Sequence, residues 1–275
     1  MMQKKSWALI LSVALLLGYG IWFHSRVPVQ DADWKEKYAV TPEVTLHGDT
    51  LHINGIRDFR FDSDGQVVQA RYLNRTYTLS KLKGLWFGLS HFGGDGLAHA
   101  FASFEFSDGT FLAVSIEARL RKEQNRYNPL AGAFRNYTKM VVLGTEQDVI
   151  GSRAFSAQEP VFLYPINGSA LQGQALLLNF LRRADILSRT PDFYNTLTDN
   201  CLTGLLAESG RYTELHDWLD YRLLLPGYSH EVLYEHGLIG QGESLEQIQA
   251  QARVNPDIAP DTDNYSQKIR SAPSL

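Results

Sequence analysis

Residues 98–120, AHAFASFEFSDGTFLAVSIEARL, constrain the fold more than any other stretch of this chain. Two alternating segments flank Asp108-Gly109, a dipeptide suited to a tight hairpin turn. Successive strand side chains point to opposite faces. On the first segment His99, Phe101, Ser103 and Glu105 therefore share one face, and Ala100, Ala102, Phe104 and Phe106 the other. On the second, Ser115, Glu117 and Arg119 alternate with Leu112, Val114, Ile116 and Ala118. A three-residue loop pairs the apolar faces and sets His99 opposite the Ser/Glu/Arg face; a two-residue loop shifts the parity and breaks that agreement. The pattern predicts the three-residue loop.

Shorter alternating runs precede it (VTLHGDTLHINGI, FRFDSDGQVVQARYLN, RTYTLSKL) and follow it (YTKMVVLGTEQDVIGSRAF, PVFLYPING), with turn residues between. The piece SHFGGDGLAH lacks the lysine and Ser/Thr of a phosphate loop and reads as a flexible connection. Helical spacing begins at Ser169, with Leu171, Leu176, Leu178, Leu181 and Ile186 around a broad apolar face. After Pro191, FYNTLTDNCLTGLLAESG offers an N-cap at Asp199 or Asn200, an apolar stripe at Leu202, Leu205 and Leu206, and Gly210 as a stop. YTELHDWLDYRLLL reads as another helix. The segment after Gly240 is polar, and its last dozen residues read as mobile. The expected class is α+β, an antiparallel, curved sheet with helices packed on it.

The N-terminus sets the compartment. Lys4 and Lys5 precede an apolar run from Trp7 to Phe23, about the minimum length that spans a bilayer. A cleaved signal should end in small residues; this run ends in Tyr19, Ile21, Trp22 and Phe23, which suit a membrane interface. An uncleaved anchor is therefore expected over residues 1–25, with a cleaved signal segment as the alternative, then a tether over 26–40, an extracytoplasmic domain over 41–240 and a polar tail over 241–275. The formal net charge of −4 gives no electrostatic case for nucleic acid as a partner. No metal-type Cys/His spacing is present, and neither a metal nor a cofactor is expected.

The chain has one cysteine, Cys201, where exported proteins usually have pairs. Core filler, an intermolecular bridge and a reactive thiol are the open readings. Placement in the first turn of a helix, where unsatisfied N–H groups gather, favours thiolate and offers donors for an oxyanion. A nucleophilic thiol needs a base. Of eight histidines, His91 and His99 flank the glycine loop, and His99 stands on a strand among polar neighbours.

These segments resemble a known family. LAHAFASFEFSDGTFLAVSIEARL, TEQDVIGSRAF and FYNTLTDNC, with INGIRDFRF upstream, are similar to the extracytoplasmic domains typified by the N-terminal domain of the lipoprotein transacylase Lnb, over roughly Trp34 to Gly240. That family looks like a circularly permuted relative of the NlpC-type papain-like enzymes, with the histidine strand before the cysteine helix. The resemblance implies Cys201 as nucleophile and His99 as general base and acid, with His91 in reserve. It implies supporting roles for Glu117, Ser115 and Arg119 in the Ser-x-Glu-x-Arg stretch, for Asn200 beside the thiol or as a helix cap, and for Glu105. Glu117 paired with Arg119 as a surface salt bridge is the competing reading. The implied function is a membrane-anchored, periplasmic acyltransferase or hydrolase of the bacterial envelope acting on a membrane lipid or lipoprotein. A peptidoglycan or peptide amidase with the same dyad, and a non-catalytic envelope binding protein, are the alternatives.

Overall fold

The structure is a computed structural model that describes residues 2–210 and 220–270; the side chains of 2–9 and 11 lie outside the described set. In chain order the elements are α1 (Met2–Ser25), β1 (Glu43–His47), β2 (Thr50–Arg57), β3 (Arg60–Phe61), β4 (Val67–Gln69), β5 (Tyr72–Thr78), β6 (Leu82–His91), β7 (Ala98–Phe106) and β8 (Phe111–Arg119). Then come α2 (Pro129–Ala133), β9 (Tyr137–Gly144), α3 (Glu146–Val149), a π-helical turn (Ser152–Ser156), β10 (Val161–Pro165), α4 (Ala170–Arg189) and β11 (Phe193–Tyr194). The chain continues with α5 (Cys201–Ser209), α6 (Tyr221–Leu224), α7 (Ser229–Glu235), α8 (Leu245–Ala252) and α9 (Tyr265–Lys268).

The main sheet runs β1-β2-β9-β8-β7-β6-β10, with β5 on β2 and β11 on β9. The class is α+β, as expected, but the sheet is mixed rather than wholly antiparallel. β2 and β9 run parallel where Arg57 meets Gly144. Nothing local signals that contact, because it joins strands far apart in sequence. An added Cβ at Gly144 would lie 2.8 Å from a Val149 methyl, so the junction needs glycine.

The hairpin has the predicted register. Phe101 pairs with Ser115, Ala102 with Val114 and Phe104 with Leu112. Phe106 N–H donates to the Thr110 carbonyl at 2.9 Å, leaving Ser107, Asp108 and Gly109 as the loop, with Gly109 at φ +82°. Every residue of β8 is buried, its polar face included. One surface of the sheet carries α4 and α5, with Leu177, Phe180, Leu181, Leu202 and Leu205 against Ala100, Ala102, Phe104 and Val114. The other is covered by α3, the π-turn and the C-terminal segment, which bring Val149, Ile150, Ala154, Val254, Tyr265 and Ile269 against Phe101 and Ala113.

The C-terminal segment read as mobile is therefore in part packed. Tyr265 and Ile269 are each 1 % exposed, and Val254 N–H donates to the Val161 carbonyl at 2.9 Å. A few apolar residues in a polar stretch are enough, because they fill one continuous groove. Residues 271–275 lie outside the described residues, as does 211–219, which holds most of the helix expected near His216. α4 starts at its Ser169 cap as predicted, but its inward face is Gly173, Leu177, Phe180, Leu181, Ala184 and Leu187. Leu171 and Ile186 are exposed.

The glycine loop after β6 is held rather than loose. Gly227 N–H donates to the Gly96 carbonyl at 3.1 Å, and a Cβ on Gly227 would lie 1.8 Å from the Asp95 carbonyl oxygen. The N-terminal apolar run forms α1, whose Leu15, Leu16, Leu17 and Ile21 are all exposed. It touches the domain near its end, where Arg135 donates to the Phe23 carbonyl at 3.2 Å. Among the described residues no helix is long and apolar enough to cross a membrane.

Candidate active site

Cys201 opens α5, and the capping pattern explains why. The Asn200 side chain accepts from the N–H groups of Leu202 at 2.9 Å and Thr203 at 3.0 Å, while Thr203 Oγ1 accepts the Asn200 N–H at 2.8 Å. Of the two cap candidates Asn200 is the one used; Asp199 instead pairs with the buried Lys139. Asn200 Nδ2 donates to the Thr196 and Leu223 carbonyls, so this side chain is occupied with the helix end. Gly204 lets α5 lie close on β8, since a Cβ there would be 2.5 Å from Ile116 Cδ1.

The sulfur takes a backbone position. The Ala100 N–H donates to Cys201 Sγ at 3.4 Å. Even-numbered amides of β7 face β8, as the Phe106–Thr110 bond shows, yet the β7–β8 pairing stops at Phe101–Ser115. Sγ thus stands where a strand acceptor would otherwise be, at the seam where the two strands part. Cys201 reaches this seam from the helix-covered surface. His99, one residue from Ala100 and on the same face as Phe101, reaches it from the other surface.

The helix start is not the open donor cluster expected of it. The cap consumes the N–H groups of Leu202 and Thr203, and the Cys201 N–H donates to the Tyr194 hydroxyl at 3.2 Å. Tyr194 is 6 % exposed and has a hydroxyl hydrogen to offer. The thiol is also not pre-ionised. Burial pushes its pKa up, against the lowering pull of the Ala100 N–H and the Tyr194 hydroxyl. Desolvation outweighs the dipole here.

His99 is half-buried, and its Nε2 hydrogen-bonds Ser115 Oγ at 2.7 Å. Burial, with the positive charge of Arg153, pushes the imidazole down to about 3, so it is neutral at physiological pH. No hydrogen bond joins the ring to Cys201 among the described residues; the bond to Ser115 leaves Nδ1 unengaged. His91 sits on β6 opposite Ala98, its ring edge-on to Phe162 at 5.5 Å and its buried Nε2 without a hydrogen-bond partner.

Behind His99 lies a buried ionic cluster. Arg57 Nε donates to both oxygens of Asp148, at 2.9 and 3.1 Å, and its terminal nitrogens donate to Glu117 at 3.3 and 3.4 Å. Asp148 also accepts the Phe59 N–H at 2.7 Å. Arg153 stands 3.7 Å from Glu117. Burial would raise the Glu117 pKa, but Arg57 and Arg153 hold it well below the usual carboxylate range. Glu117 therefore does not pair with Arg119 as a surface bridge. Arg119 donates to the Tyr38 and Ala39 carbonyls and lies over the Trp34 ring at 4.2 Å. Glu105, at the hairpin's far end, accepts from Trp86 at 3.0 Å and pairs with Lys83 at 2.9 Å.

The structure thus gathers Cys201, His99, Ser115 and Glu117 and leaves Arg119 and Glu105 apart from them. It adds Tyr194, Arg57, Asp148 and Arg153, which pattern reading did not single out. The signal was present: Arg57 in INGIRDFRF and Asp148 and Arg153 in TEQDVIGSRAF are charges set among strand and core residues. Among the described residues no group of three or more His, Cys, Asp and Glu side chains is placed to hold a metal ion.

The segments that converge here are those that mark a family. The model of the Lnb N-terminal periplasmic domain matches residues 68–227, more than half of the chain. The chain belongs to the Lnb N-terminal periplasmic domain family. Membership marks it as an envelope-associated protein. Comparison with curated proteins and with solved structures returned no match. The stretch matching the Lnb domain contains His99, Ser115, Glu117, Asp148, Arg153, Tyr194 and Cys201, whereas Lys37 and Arg57 lie before it.

Proposed function

We propose that this protein is a thiol acyltransferase or hydrolase of the bacterial envelope, with Cys201 as nucleophile and His99 as its base. The observation that carries the reading is the position of Sγ on the Ala100 N–H, one residue along β7 from His99, with the Tyr194 hydroxyl on the Cys201 N–H. Cys201 attacks the carbonyl carbon of an ester or amide, and its proton passes to His99 Nδ1 as the C–S bond forms. Ser115 fixes the ring by accepting Nε2–H, which leaves Nδ1 as the basic nitrogen. The tetrahedral oxyanion draws on the Tyr194 O–H and on the Ala100 N–H, which the sulfur releases as its lone pair becomes a bond. Collapse expels the alcohol or amine with the proton from His99 and leaves a thioester. An incoming amine or water, deprotonated by His99, takes the acyl group and restores the thiol.

A neutral thiol beside a neutral imidazole favours transfer concerted with attack over a resting ion pair. The strand-then-helix order of base and nucleophile is that of a permuted papain-like enzyme, which we take as its architecture. The exposed apolar sides of α1, with Lys4 and Lys5 in its sequence ahead of the apolar run, support a role for that helix in holding the domain at the inner membrane with the domain in the periplasm, near lipid or lipoprotein acyl groups. No cofactor enters this chemistry.

The test is intact-protein mass spectrometry after exposure to an activated fatty acyl ester. The wild type should gain one acyl mass on Cys201; Cys201→Ala should gain none, and His99→Gln should acylate at least about a hundredfold more slowly. Equal labelling of wild type and Cys201→Ala would end the proposal. Release of muropeptides by the purified protein without acylation by lipid esters would move the substrate from lipid to peptide.

A further inference from the structure

Arg57 is fully occupied by Asp148 and Glu117, but two other cations of the same cluster are not. Arg153 donates one nitrogen to the Val149 carbonyl at 2.7 Å, and its 3.7 Å approach to Glu117 is too long for a hydrogen bond. Lys37 has no hydrogen-bond acceptor or carboxylate partner among the described residues. Its ammonium lies 5.1 Å from the centre of the Tyr38 ring and 5.4 Å from that of Phe61. Phe61 is tied to the π-helical turn that carries Arg153, because Ser156 Oγ donates to its carbonyl at 2.6 Å. Lys37 and Arg153 thus flank one half-buried place in front of Glu117, next to His99.

Charge in this cluster does not balance. Lys37, Arg57 and Arg153 face Glu117 and Asp148, while the carboxylates of Asp58 and Glu159 are engaged elsewhere, by Arg60 and Arg71 and by Ser90. Burial and the positive charges of Arg57 and Arg153 push the Lys37 ammonium down to about 8, the response of a cation lacking its anion. A planar guanidinium fork beside a compact ammonium, on a floor of aromatic rings, suits the spread oxygens of a phosphate group. A singly charged phosphodiester would cancel the excess.

We infer that Lys37 and Arg153 form a binding site for a phosphodiester on the substrate, set beside His99. The source is a phospholipid head group, since the exposed apolar helix α1 ends at Ser25, twelve residues before Lys37. That the lipid is the acyl donor rests on the acyl-transfer reading above; the anion site rests on the cluster alone. The site orients the head group so that an ester carbonyl of the same lipid lies over the seam at Cys201. Lys37 lies outside the family match and Arg153 within it.

The experiment is calorimetric titration of the full chain with three soluble probes: dihexanoyl phosphatidylglycerol below its micelle concentration, dihexanoylglycerol, and inorganic phosphate. Wild type, Lys37→Gln, Arg153→Gln and Arg153→Lys are compared, with the exposed Arg189→Gln as control. Binding of the phosphodiester should weaken at least about tenfold in Lys37→Gln and Arg153→Gln, partly recover in Arg153→Lys and be unchanged in Arg189→Gln. Unchanged urea midpoints confirm that the variants remain folded; Lys37→Gln carries the test if Arg153→Gln does not. No phosphodiester binding by wild type, or equal binding by Lys37→Gln, overturns the site. Inorganic phosphate binding as tightly as the lipid overturns the head-group source. Cys201 acylation by a neutral activated ester is measured in parallel. If it fails while phosphodiester binding persists, the acyl-transfer reading falls and the anion site stands; the reverse result rejects the site alone.

Discussion

The neutral imidazole of His99 makes a prediction about stability that is independent of catalysis. Its pKa is 6.5 in an unfolded chain and about 3 in the fold. Between those values the unfolded chain binds a proton that the folded protein refuses, so stability present above pH 6.5 is lost as pH falls toward 3. From about pH 7.5 to about pH 5 the loss for a fully sequestered ring is about 2 kcal/mol. Solvent at the exposed edge of the half-buried ring reduces this to about 1–2 kcal/mol. The comparison is urea unfolding of wild type and His99→Gln at both pH values. His230, whose pKa burial also lowers, and Lys37 titrate in both proteins and cancel in the difference. Wild type should lose about 1–2 kcal/mol more than the variant on acidification. Equal losses, or a smaller loss in wild type, would refute a neutral His99 and would mean that the fold holds an imidazolium against Glu117.

Three further outcomes follow from contacts described above. Asp148→Asn removes one of the two carboxylates facing Arg57 and should cost about 3 kcal/mol in urea unfolding, because it leaves the buried guanidinium with Glu117 alone. Gly227→Ala forces a Cβ to 1.8 Å from a backbone oxygen and should cost about 3 kcal/mol or more, whereas Gly65→Ala, strained at φ +75° but in open space, should cost about 1 kcal/mol. Tyr194→Phe removes a donor that favours the Cys201 thiolate, so alkylation by iodoacetamide at neutral pH should slow about tenfold and its pH profile move alkaline.

What the sequence disclosed was local. The hairpin register followed from strand parity and the Asp108-Gly109 turn, and the Cys201 helix from its cap and its Gly210 stop. Each signal spans a few residues. The misjudged features depend on contacts between distant segments. Glu117 sits on a face that alternation marks as polar, and polar ordinarily means solvent-facing. That face is buried, and its partner Arg57 lies 60 residues away. Tyr194 reached the site because β11 pairs with β9 and delivers it to the helix start. The donors expected at that helix start were lost to its own cap, a competition visible in the sequence as Asn200 and Thr203.

The sulfur on the Ala100 amide has a consequence for observing the protein at work. An amide whose acceptor is the nucleophile itself reports the chemical state of that nucleophile. Acylation or oxidation of Cys201 removes the acceptor, and the Ala100 proton must then find an oxyanion, a water or nothing. Its nitrogen–proton resonance and its rate of exchange with solvent deuterium should therefore follow the reaction from inside the sheet, without a label on the substrate. The same coupling means that each turnover tugs on the end of the β7–β8 ladder, so the hairpin that dictates the fold also feels the chemistry.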